Sequence, residues 1–280
     1  MQKVCPENAA EAAACKRVRV GIFDSGVGGL NVLGVCMRML PDVLFYYYGD
    51  NIHAPYGSRT PAQIEGYVRA ALRRFSRLNV QAVVLACNTA TAVCAERMRR
   101  EFAFPVVGME PAIAPAARVC TNVLVLATPL TAHSARLGAL LSRFPDCRFT
   151  VCALPGLAGA IERDFLRGEK LTLSDHLPAG NFDGVVLGCT HYAFFGQEIS
   201  RFYAAPVFDG CRGTANRLTE ILSATPGKQI FGQDDHQRPK QNPNKCFIKN
   251  CKKEGEKRII FLGKRKNLNK KVFFANICFT

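Results

Sequence analysis

Two short segments of the chain place a cysteine between an apolar run and two polar side chains. They read VVLACNTA at residues 83–90 and VVLGCTHY at residues 185–192, and their polar positions are Cys87, Asn88, Thr89, Cys189, Thr190 and His191. If a helix follows each apolar strand, its free N–H groups and positive potential lower the pKa of the preceding thiol from about 8.5 and favour the thiolate. Cys87 and Cys189 are therefore candidate acid/base groups, whereas most of the other cysteines are expected to be buried and unreactive.

A pair of equivalent thiols suits stereoinversion better than hydrolysis. A Cys–His protease needs one nucleophile, one base and an orienting group, and a second equivalent cysteine has no place in that scheme. Two thiols on opposite sides of a cleft can instead remove a proton from one face of a carbon and return a proton to the other face. His191 is then either a hydrogen-bonding or acid/base partner of Cys189, or a structural histidine.

A glycine-rich loop, DSGVGG at residues 24–29, follows the first apolar run. It fails the dinucleotide-binding fingerprint, because the third glycine position falls on Asn31. The loop still offers a backbone that can approach a small anion closely, and Asp24 is either a capping carboxylate or a group placed against a thiol or an ammonium. The turn at residues 55–58, PYGS, is either an ordinary tight turn or a set of backbone N–H groups that hold a carboxylate.

Short apolar runs alternate with amphipathic segments of helical length. Because the runs are almost continuously apolar, they predict strands buried on both faces in parallel sheets flanked by helices. The predicted strands lie at residues 18–23, 43–48, 82–86, 105–108, 122–127, 149–152, 184–188 and 207–208, and helical spacing is clearest at residues 61–78 and 92–102. This number of strands favours two open α/β sandwiches over one. The paired cysteine segments, with the weaker pair IFDS and VFDG, predict similar halves whose strand ends face a common cleft.

Composition indicates a soluble, core-forming chain. Of its 280 residues, 48% are hydrophobic and 21% are charged, and no apolar run is long enough to predict a membrane span. Glu7 and Glu11 lie where a signal peptide needs an apolar region, so a cytoplasmic location with reduced cysteines is expected.

The positive charge is concentrated at the end of the chain. Residues 228–280 hold 14 Lys and Arg against 4 Asp and Glu, and so carry +10 of the net charge of +15. This tail is rich in Lys and Asn, whereas the preceding residues use Arg and are rich in Ala. It is interpreted as a solvated extension, as a fused or out-of-frame end, or, with less weight, as an arm that binds nucleic acid nonspecifically. A dispensable extension would leave activity intact on removal.

Five segments together resemble the glutamate racemases of the cofactor-independent aspartate/glutamate racemase superfamily. They are GIFDSGVGGLNVL, YGDNIHAPYGS, VVLACNTATA, FPVVGMEPAIAPA and VVLGCTHY, and the resemblance runs from about Val18 to about Leu222. It implies two α/β domains of related topology with the active site in the interdomain cleft. The first domain would comprise residues 18–110 and 210–227, the second residues 111–209, with the basic tail at residues 228–280.

The resemblance also implies the activity and the site. Such enzymes interconvert L- and D-glutamate without cofactor or metal, supply D-glutamate for peptidoglycan, and are expected to form homodimers. Cys87 and Cys189 match the two acid/base cysteines, and Cys87 would deprotonate D-glutamate while Cys189 deprotonates L-glutamate. Asp24 and His191 match the polar groups beside these thiols. The substrate-binding positions that match are Asp24, Ser25, Tyr56, Gly57, Asn88, Thr89, Thr190 and His191.

Three alternatives stay open at the level of sequence. Glu162 resembles a glutamate near the second cysteine in this family, or is a surface carboxylate on a helix. The substrate is glutamate, or aspartate or another amino acid as in other members of the superfamily. A binding or regulatory protein with the same fold is a third possibility, against which the two intact cysteines argue.

Overall fold

The computed structural model describes residues 18–224 and 259–262, which form two parallel β-sheets with helices packed on them. The first sheet has the strand order β4-β3-β1-β2-β9 and consists of β1 (Arg19–Asp24), β2 (Leu44–Gly49), β3 (Ala82–Leu85), β4 (Val106–Gly108) and β9 (Ile259–Leu262). The second sheet has the order β6-β5-β7-β8 and consists of β5 (Asn122–Ala127), β6 (Arg148–Ala153), β7 (Gly184–Gly188) and β8 (Val207–Asp209). All neighbouring strands are parallel, so the predicted α/β class with two sheets is confirmed.

Helices connect the strands and cover the sheets. They are α1 (Gly29–Met39), α2 (Pro61–Ser76), α3 (Asn88–Glu101), α4 (Ile113–Ala117), α5 (Pro129–Ala132), α6 (Ala135–Leu141), α7 (Leu157–Arg167), α8 (Gly196–Tyr203) and α9 (Cys211–Ala224). 3₁₀ helices lie at Tyr56–Ser58, Leu173–His176 and Thr190–Phe195. Among the helices that the structure describes, none has the length and apolar character needed to cross a bilayer.

The burial of the strands follows their place in each sheet. β3 and β7 lie between other strands and are buried at every residue, as their continuous apolar sequences predict. β6 lies at the edge of the second sheet and has Arg148, Thr150 and Val151 exposed. The prediction that every strand is buried on both faces is therefore wrong for β6, because an edge strand has a neighbour on one side only.

Local sequence fixes where the helices near the site begin. A capping box starts α2: the side chain of Thr60 accepts a hydrogen bond from the backbone N–H of Gln63, whose side chain accepts one from the backbone N–H of Thr60. α3 starts directly after Cys87, whose sulfur accepts a hydrogen bond from the N–H of Ala90 at 3.5 Å. The end of β3 and the start of α3 thus fix the position of this thiol.

The chain returns to the first sheet after it completes the second. Cys211, Ala215 and Leu218 of α9 are buried in the same apolar core as Val20 and Ile22 of β1. This packing is what a discontinuous first domain requires, and the boundaries proposed near residues 110 and 210 stay predictions.

The basic tail contributes one strand to the first sheet. β9 pairs with β2 in parallel, with Phe45 opposite Ile259 and Tyr48 opposite Leu262. Phe261 packs against the ring of Tyr47, with the ring centroids 5.8 Å apart. The interpretation of the tail as a solvated extension is therefore wrong for residues 259–262, because they are half-buried against the core. Residues 228–258 and 263–280, on which the nucleic-acid interpretation depends, lie outside the described residues, as do Glu7 and Glu11.

Candidate active site

The two candidate thiols end strands of different sheets. Cys87 follows β3 and Cys189 follows β7, and both are buried and free. An α-helix begins directly after Cys87, and the 3₁₀ helix Thr190–Phe195 begins directly after Cys189, whose sulfur makes no capping hydrogen bond. The prediction of a helix N-terminus immediately behind each thiol is therefore confirmed, as an α-helix for Cys87 and as a 3₁₀ helix for Cys189.

Cys87 contacts the DSGVGG loop. Its sulfur donates a hydrogen bond to Oγ of Ser25 over 3.5 Å and accepts one from the N–H of Ala90. Burial and the nearby charge of Asp24 raise the pKa of Cys87 to about 11, against the smaller opposing effects of the Ala90 and Ser25 hydrogen bonds. The sequence-based prediction of a lowered pKa is wrong here, because the removal of the thiolate from water outweighs its hydrogen bonds with Ala90 and Ser25.

Asp24 joins the two halves of the site. Its Oδ2 atom accepts a hydrogen bond of 2.8 Å from the N–H of Gly26, and its Oδ1 atom accepts one of 3.2 Å from the hydroxyl of Thr190. Burial raises the pKa of Asp24, although the charge of His191 and the backbone N–H groups of Gly26 and Gly29 oppose that rise. The carboxyl group therefore connects the DSGVGG loop to the residue that follows Cys189, and its placement against a thiol stays a prediction.

Cys189 is followed by a buried ion pair. Nδ1 of His191 lies 3.9 Å from the sulfur of Cys189, and Nε2 lies 2.6 Å from Oε2 of Glu162. Burial alone would lower the pKa of His191, but its hydrogen bonds and charge interactions with Cys189 and Glu162 outweigh burial and raise that pKa well above its usual value. Burial likewise opposes ionisation of Glu162, but His191 lowers the pKa of that carboxyl. Both shifts favour the charged forms of the two side chains.

Glu162 is buried, so its interpretation as a surface carboxylate is wrong. Besides His191 it contacts two residues of the first-sheet loops: Oε2 accepts a 3.1 Å hydrogen bond from the N–H of Val27, and Oε1 accepts a 2.6 Å bond from Nδ2 of Asn51. The helix α7 carries Glu162 from the second sheet to the loops of the first.

Two glycines of the DSGVGG loop allow this contact between the halves. A Cβ atom on Gly28 would lie 2.5 Å from Oγ1 of Thr190 and 2.7 Å from Nδ1 of His191, and one on Gly26 would collide with the carboxylate of Glu162. Close approach of this loop to a small anion stays a prediction. In the structure the two glycines admit side chains that extend from the second sheet.

The remaining predicted binding residues lie around the same strand ends. Asn88 is only 3% exposed, and neither Nδ2 nor Oδ1 of its amide has a hydrogen-bond partner within residues 18–224 and 259–262. The hydroxyl of Thr89 lies 2.9 Å from that of Thr128.

The hydroxyl of Tyr56 donates to Asp50 at 2.7 Å, which leaves the backbone of Tyr56 and Gly57 as the part of the turn able to hold a ligand. A Cβ on Gly57 would lie 4.0 Å from Thr128, so the turn faces the end of β5.

Three residues of this region were missed in the sequence. Thr128 follows β5, and the rule that ligands meet the carboxyl ends of parallel strands would have indicated it. Asn51 lies two residues after the end of β2 and is indicated by the same rule. Asn31 donates a 3.1 Å hydrogen bond from Nδ2 to the carbonyl oxygen of Thr190, and no local pattern in the sequence marks it.

Within the described residues, neither a metal-binding cluster nor the cavity of best definition includes the two thiols. In the part of the chain described, no group of three His, Cys, Asp or Glu side chains could hold a metal ion. A cavity of about 730 Å³ lies elsewhere, lined among others by Phe104, Arg143 and Arg217, and includes neither thiol. The site is therefore defined by its converging side chains.

Comparison with known proteins gives consistent matches. The family model described as Asp/Glu/Hydantoin racemase matches residues 35–218. Glutamate racemase 2 of Bacillus subtilis is 34% identical over 218 residues, which cover 74% of this chain and 82% of that protein. The glutamate racemase of Halothermothrix orenii is 35% identical over 246 residues, or 80% of this chain and 97% of that protein.

Solved structures agree with these matches. The crystal structure of Escherichia coli glutamate racemase in complex with L-glutamate and the activator UDP-MurNAc-Ala superposes with a TM-score of 0.68 at 32% identity, covering 74% of this chain and 83% of that one. The glutamate racemase of Campylobacter jejuni has a TM-score of 0.65 and covers 93% of this chain and 96% of that one, and at 21% identity it supports the fold alone.

Proposed function

The chain belongs to the Asp/Glu/Hydantoin racemase family, and on that premise we propose that it interconverts L- and D-glutamate by proton transfer through Cys87 and Cys189. One observation carries the proposal. The two thiols end strands of different sheets, and each has its own side-chain partner, Ser25 for Cys87 and His191 for Cys189. Hydrogen bonds from Thr190 to Asp24 and from Val27 to Glu162 connect the two halves, and this connection supports the proposal that both thiols serve one substrate.

Inversion requires one thiolate and one thiol on opposite faces of the α-carbon. One sulfur removes the α-proton, the electron pair of that C–H bond is delocalised into the carboxylate, and the other sulfur delivers a proton to the opposite face. The pKa of Cys87, raised by burial, keeps this thiol protonated at neutral pH, as an acid must be. Cys87 is then the acid when L-glutamate reacts and the base when D-glutamate reacts. His191, next to Cys189, is the group able to share the proton that passes through the second sulfur.

Hydrogen bonds fixed in advance can replace a cofactor in stabilising the charge that develops on the carboxylate. The amide of Asn88 is the clearest donor, because it is buried and unpaired among the described residues, and an unpaired buried amide is unfavourable unless a ligand satisfies it. The hydroxyls of Ser25, Thr89 and Thr190 and the backbone of Tyr56 and Gly57 surround the same strand ends. Burial of these groups excludes water, which strengthens each hydrogen bond.

The proposed cellular role follows from glutamate as the substrate. D-Glutamate made in the cytoplasm would supply peptidoglycan synthesis, and we include that role in the proposal. Homodimer formation stays a prediction, which sedimentation of the full chain tests.

Circular dichroism of L-glutamate, and separately of D-glutamate, incubated with the purified full chain tests the proposal. Without added cofactor, both signals should decay to zero, and the α-position should take up deuterium when the solvent is D₂O. L- and D-aspartate are the matched comparison and should react much more slowly. Signals that stay constant with glutamate, or decay faster with aspartate, would contradict the assignment.

A further inference from the structure

The contacts of Glu162 come from both halves of the molecule. Its helix, α7, packs in the core of the second sheet through Leu157 and Ile161. Yet the N–H of Val27 and the amide of Asn51, both on loops that follow first-sheet strands, donate to its carboxylate over 3.1 and 2.6 Å. His191, which lies on the second-sheet side, is the third partner, and its Nε2 atom lies 2.6 Å from Oε2 of Glu162. Each oxygen of the carboxylate is therefore held by a first-sheet loop.

Asn51 is well suited to hold a carboxylate because its own turn is fixed. The preceding residue, Asp50, is buried, accepts a hydrogen bond from the hydroxyl of Tyr56 at 2.7 Å, and lies 2.8 Å from Nδ1 of His53. The N–H of Asp50 also donates to the carbonyl oxygen of Asp24 over 2.9 Å. The turn that carries Asn51 is thereby tied to the strand end that carries Asp24.

We propose that Asn51 is a positioning residue for the second thiol: by holding Oε1 of Glu162 it fixes the carboxylate so that Oε2 orients the ring of His191 towards Cys189. The inference rests on the proposed function and adds a residue to it. Val27 and His191 share Oε2, so rotation of the carboxylate is prevented only when Asn51 holds the other oxygen. If the two sheets move apart, Glu162 keeps His191 and loses Asn51 and Val27. Closure of the cleft and orientation of His191 are coupled in this way.

The effect of Asn51 should be confined to one side of the substrate. Cys87 contacts Ser25 and Ala90, and neither contact involves Asn51 or Glu162. The kcat/KM of racemisation cannot reveal such a one-sided defect. L- and D-glutamate have equal free energy in water, so kcat/KM must be the same in both directions for every variant.

Elimination separates the two sides. With a glutamate analogue that carries a leaving group on the β-carbon, one thiolate takes the α-proton, and the C–H electron pair forms a double bond between the α- and β-carbons. The leaving group departs with the electron pair of its own bond, and water then hydrolyses the product to a keto acid and ammonium. Only the base that faces the α-hydrogen is needed, so the L-analogue reports on Cys189 and the D-analogue on Cys87.

The experiment measures elimination at pH 8 by wild type, Asn51→Ala and Asn51→Asp, with Ile52→Ala as the matched control because Ile52 is 71% exposed. Loss of a hydrogen bond to a charged group predicts an approximately tenfold or larger fall with the L-analogue, and a change of less than about twofold with the D-analogue. Asn51→Asp keeps the shape of the side chain and replaces the donor by an acceptor, so it should lose at least as much as Asn51→Ala. Ile52→Ala should match wild type.

A double-mutant comparison tests whether Asn51 acts through Glu162. In the Glu162→Gln background, Asn51→Ala should reduce the rate of elimination from the L-analogue by a further factor of less than about two, because the partner on which Asn51 acts has already changed. Equal losses with both analogues, no loss, or a full further loss in that background would overturn the proposal. Failure of the proposed function itself is distinct, since wild type would then neither racemise glutamate nor eliminate from either analogue.

Discussion

The hydroxyl of Thr190 donates a 3.2 Å hydrogen bond to Oδ1 of Asp24, and it joins the residue after Cys189 to the last residue of β1. Asn31, at the start of α1, adds a second bond of 3.1 Å to the carbonyl oxygen of Thr190. The end of β7, which carries Cys189, is thus joined to the end of β1, the neighbour of the Cys87-bearing strand β3, by bonds that do not involve either sulfur. Replacing a thiol should therefore leave the cleft assembled, so that functional effects can be assigned to the thiol itself.

Cys87→Ser and Cys189→Ser should each nearly abolish glutamate racemisation, because a serine hydroxyl is far less acidic than a thiol and inversion needs both groups. Their elimination reactions should differ. Cys87→Ser should retain elimination from the L-analogue with a β leaving group and lose it from the D-analogue, and Cys189→Ser should show the reverse.

Assays of both variants with both enantiomers check this assignment, and Cys94→Ser, a change at a buried thiol of α3, is the control that should racemise glutamate. A racemisation rate near wild type in either cleft variant, or loss of the same enantiomer in both, would rule out the two-base assignment.

The reactivity of Cys87 should increase with pH over the whole accessible range. With a pKa of about 11, only about a thousandth of this thiol is ionised at pH 8. In the Cys189→Ser variant, the rate of alkylation at Cys87 by iodoacetamide should rise about tenfold per pH unit from pH 7 to pH 10. Peptide mass spectrometry measures that rate, and a plateau below pH 9 would show a thiol of ordinary or lowered pKa.

Glu162→Gln should destabilise the folded chain by about 3 kcal/mol near pH 5.5, because it removes one partner of a buried ion pair. The pKa of Glu162 is lowered on folding, so its ionised form stabilises the fold above the ordinary value of 4.5, and this contribution is lost as pH falls further. The pKa of His191 is raised on folding, so its contribution is complete below 6.5 and is lost as pH rises through the higher folded value.

The difference in unfolding free energy between wild type and Glu162→Gln should therefore be largest between about pH 5 and 6.5 and should decrease on both sides. Urea unfolding at four pH values measures it. Glu169→Gln is the matched control, since Glu169 is half exposed and pairs with Arg163 at the surface. A difference that is independent of pH would mean that the Glu162–His191 pair is not charged.

The tail strand should contribute to stability. Phe261→Ala should lower the unfolding free energy by about 2 kcal/mol, because the phenyl ring is half-buried against Tyr47 and the core of the first sheet. Removal of residues 228–280 should lower the unfolding free energy by more than this. It should also reduce racemisation, since the hydroxyl of Tyr47 donates to the carbonyl oxygen of Gly26 in the site loop at 2.8 Å. Urea unfolding measures the stability of both variants and circular dichroism of glutamate measures racemisation, with Val119→Ala, at a 73% exposed residue, as control. A truncated chain as stable and active as the full one would restore the extension hypothesis.

Continuous apolar segments were predicted well from the sequence. β5 and β7 begin and end at the predicted residues, because each is a run of aliphatic residues that both faces of a central strand can bury. β9 was not predicted, because Lys- and Asn-rich residues flank only four apolar positions, and nothing local indicates that β2 needs a neighbour.

The site could be predicted to the level of its motifs and no further. Cys87 and Cys189 were identifiable because polar residues follow each thiol directly. The contact between Asn51 and Glu162 joins residues that are 111 positions apart, and periodicity contains no information about such a pair. The pKa of Cys87 was predicted in the wrong direction because it depends on burial and on Asp24, and both depend on the packed structure.

The pairing of β2 with β9 also determines the order in which the molecule can be completed during translation. Residues 45–48 leave the ribosome long before residues 259–262, and the whole second sheet is synthesised in between. Throughout that interval the outer edge of β2 presents unpaired backbone groups beside large apolar side chains, and such an edge can pair with another chain. In a nascent chain released or cut before residue 259, the outer edge of β2 stays unpaired. Because the strand that covers this edge is synthesised late, incomplete chains are expected to aggregate.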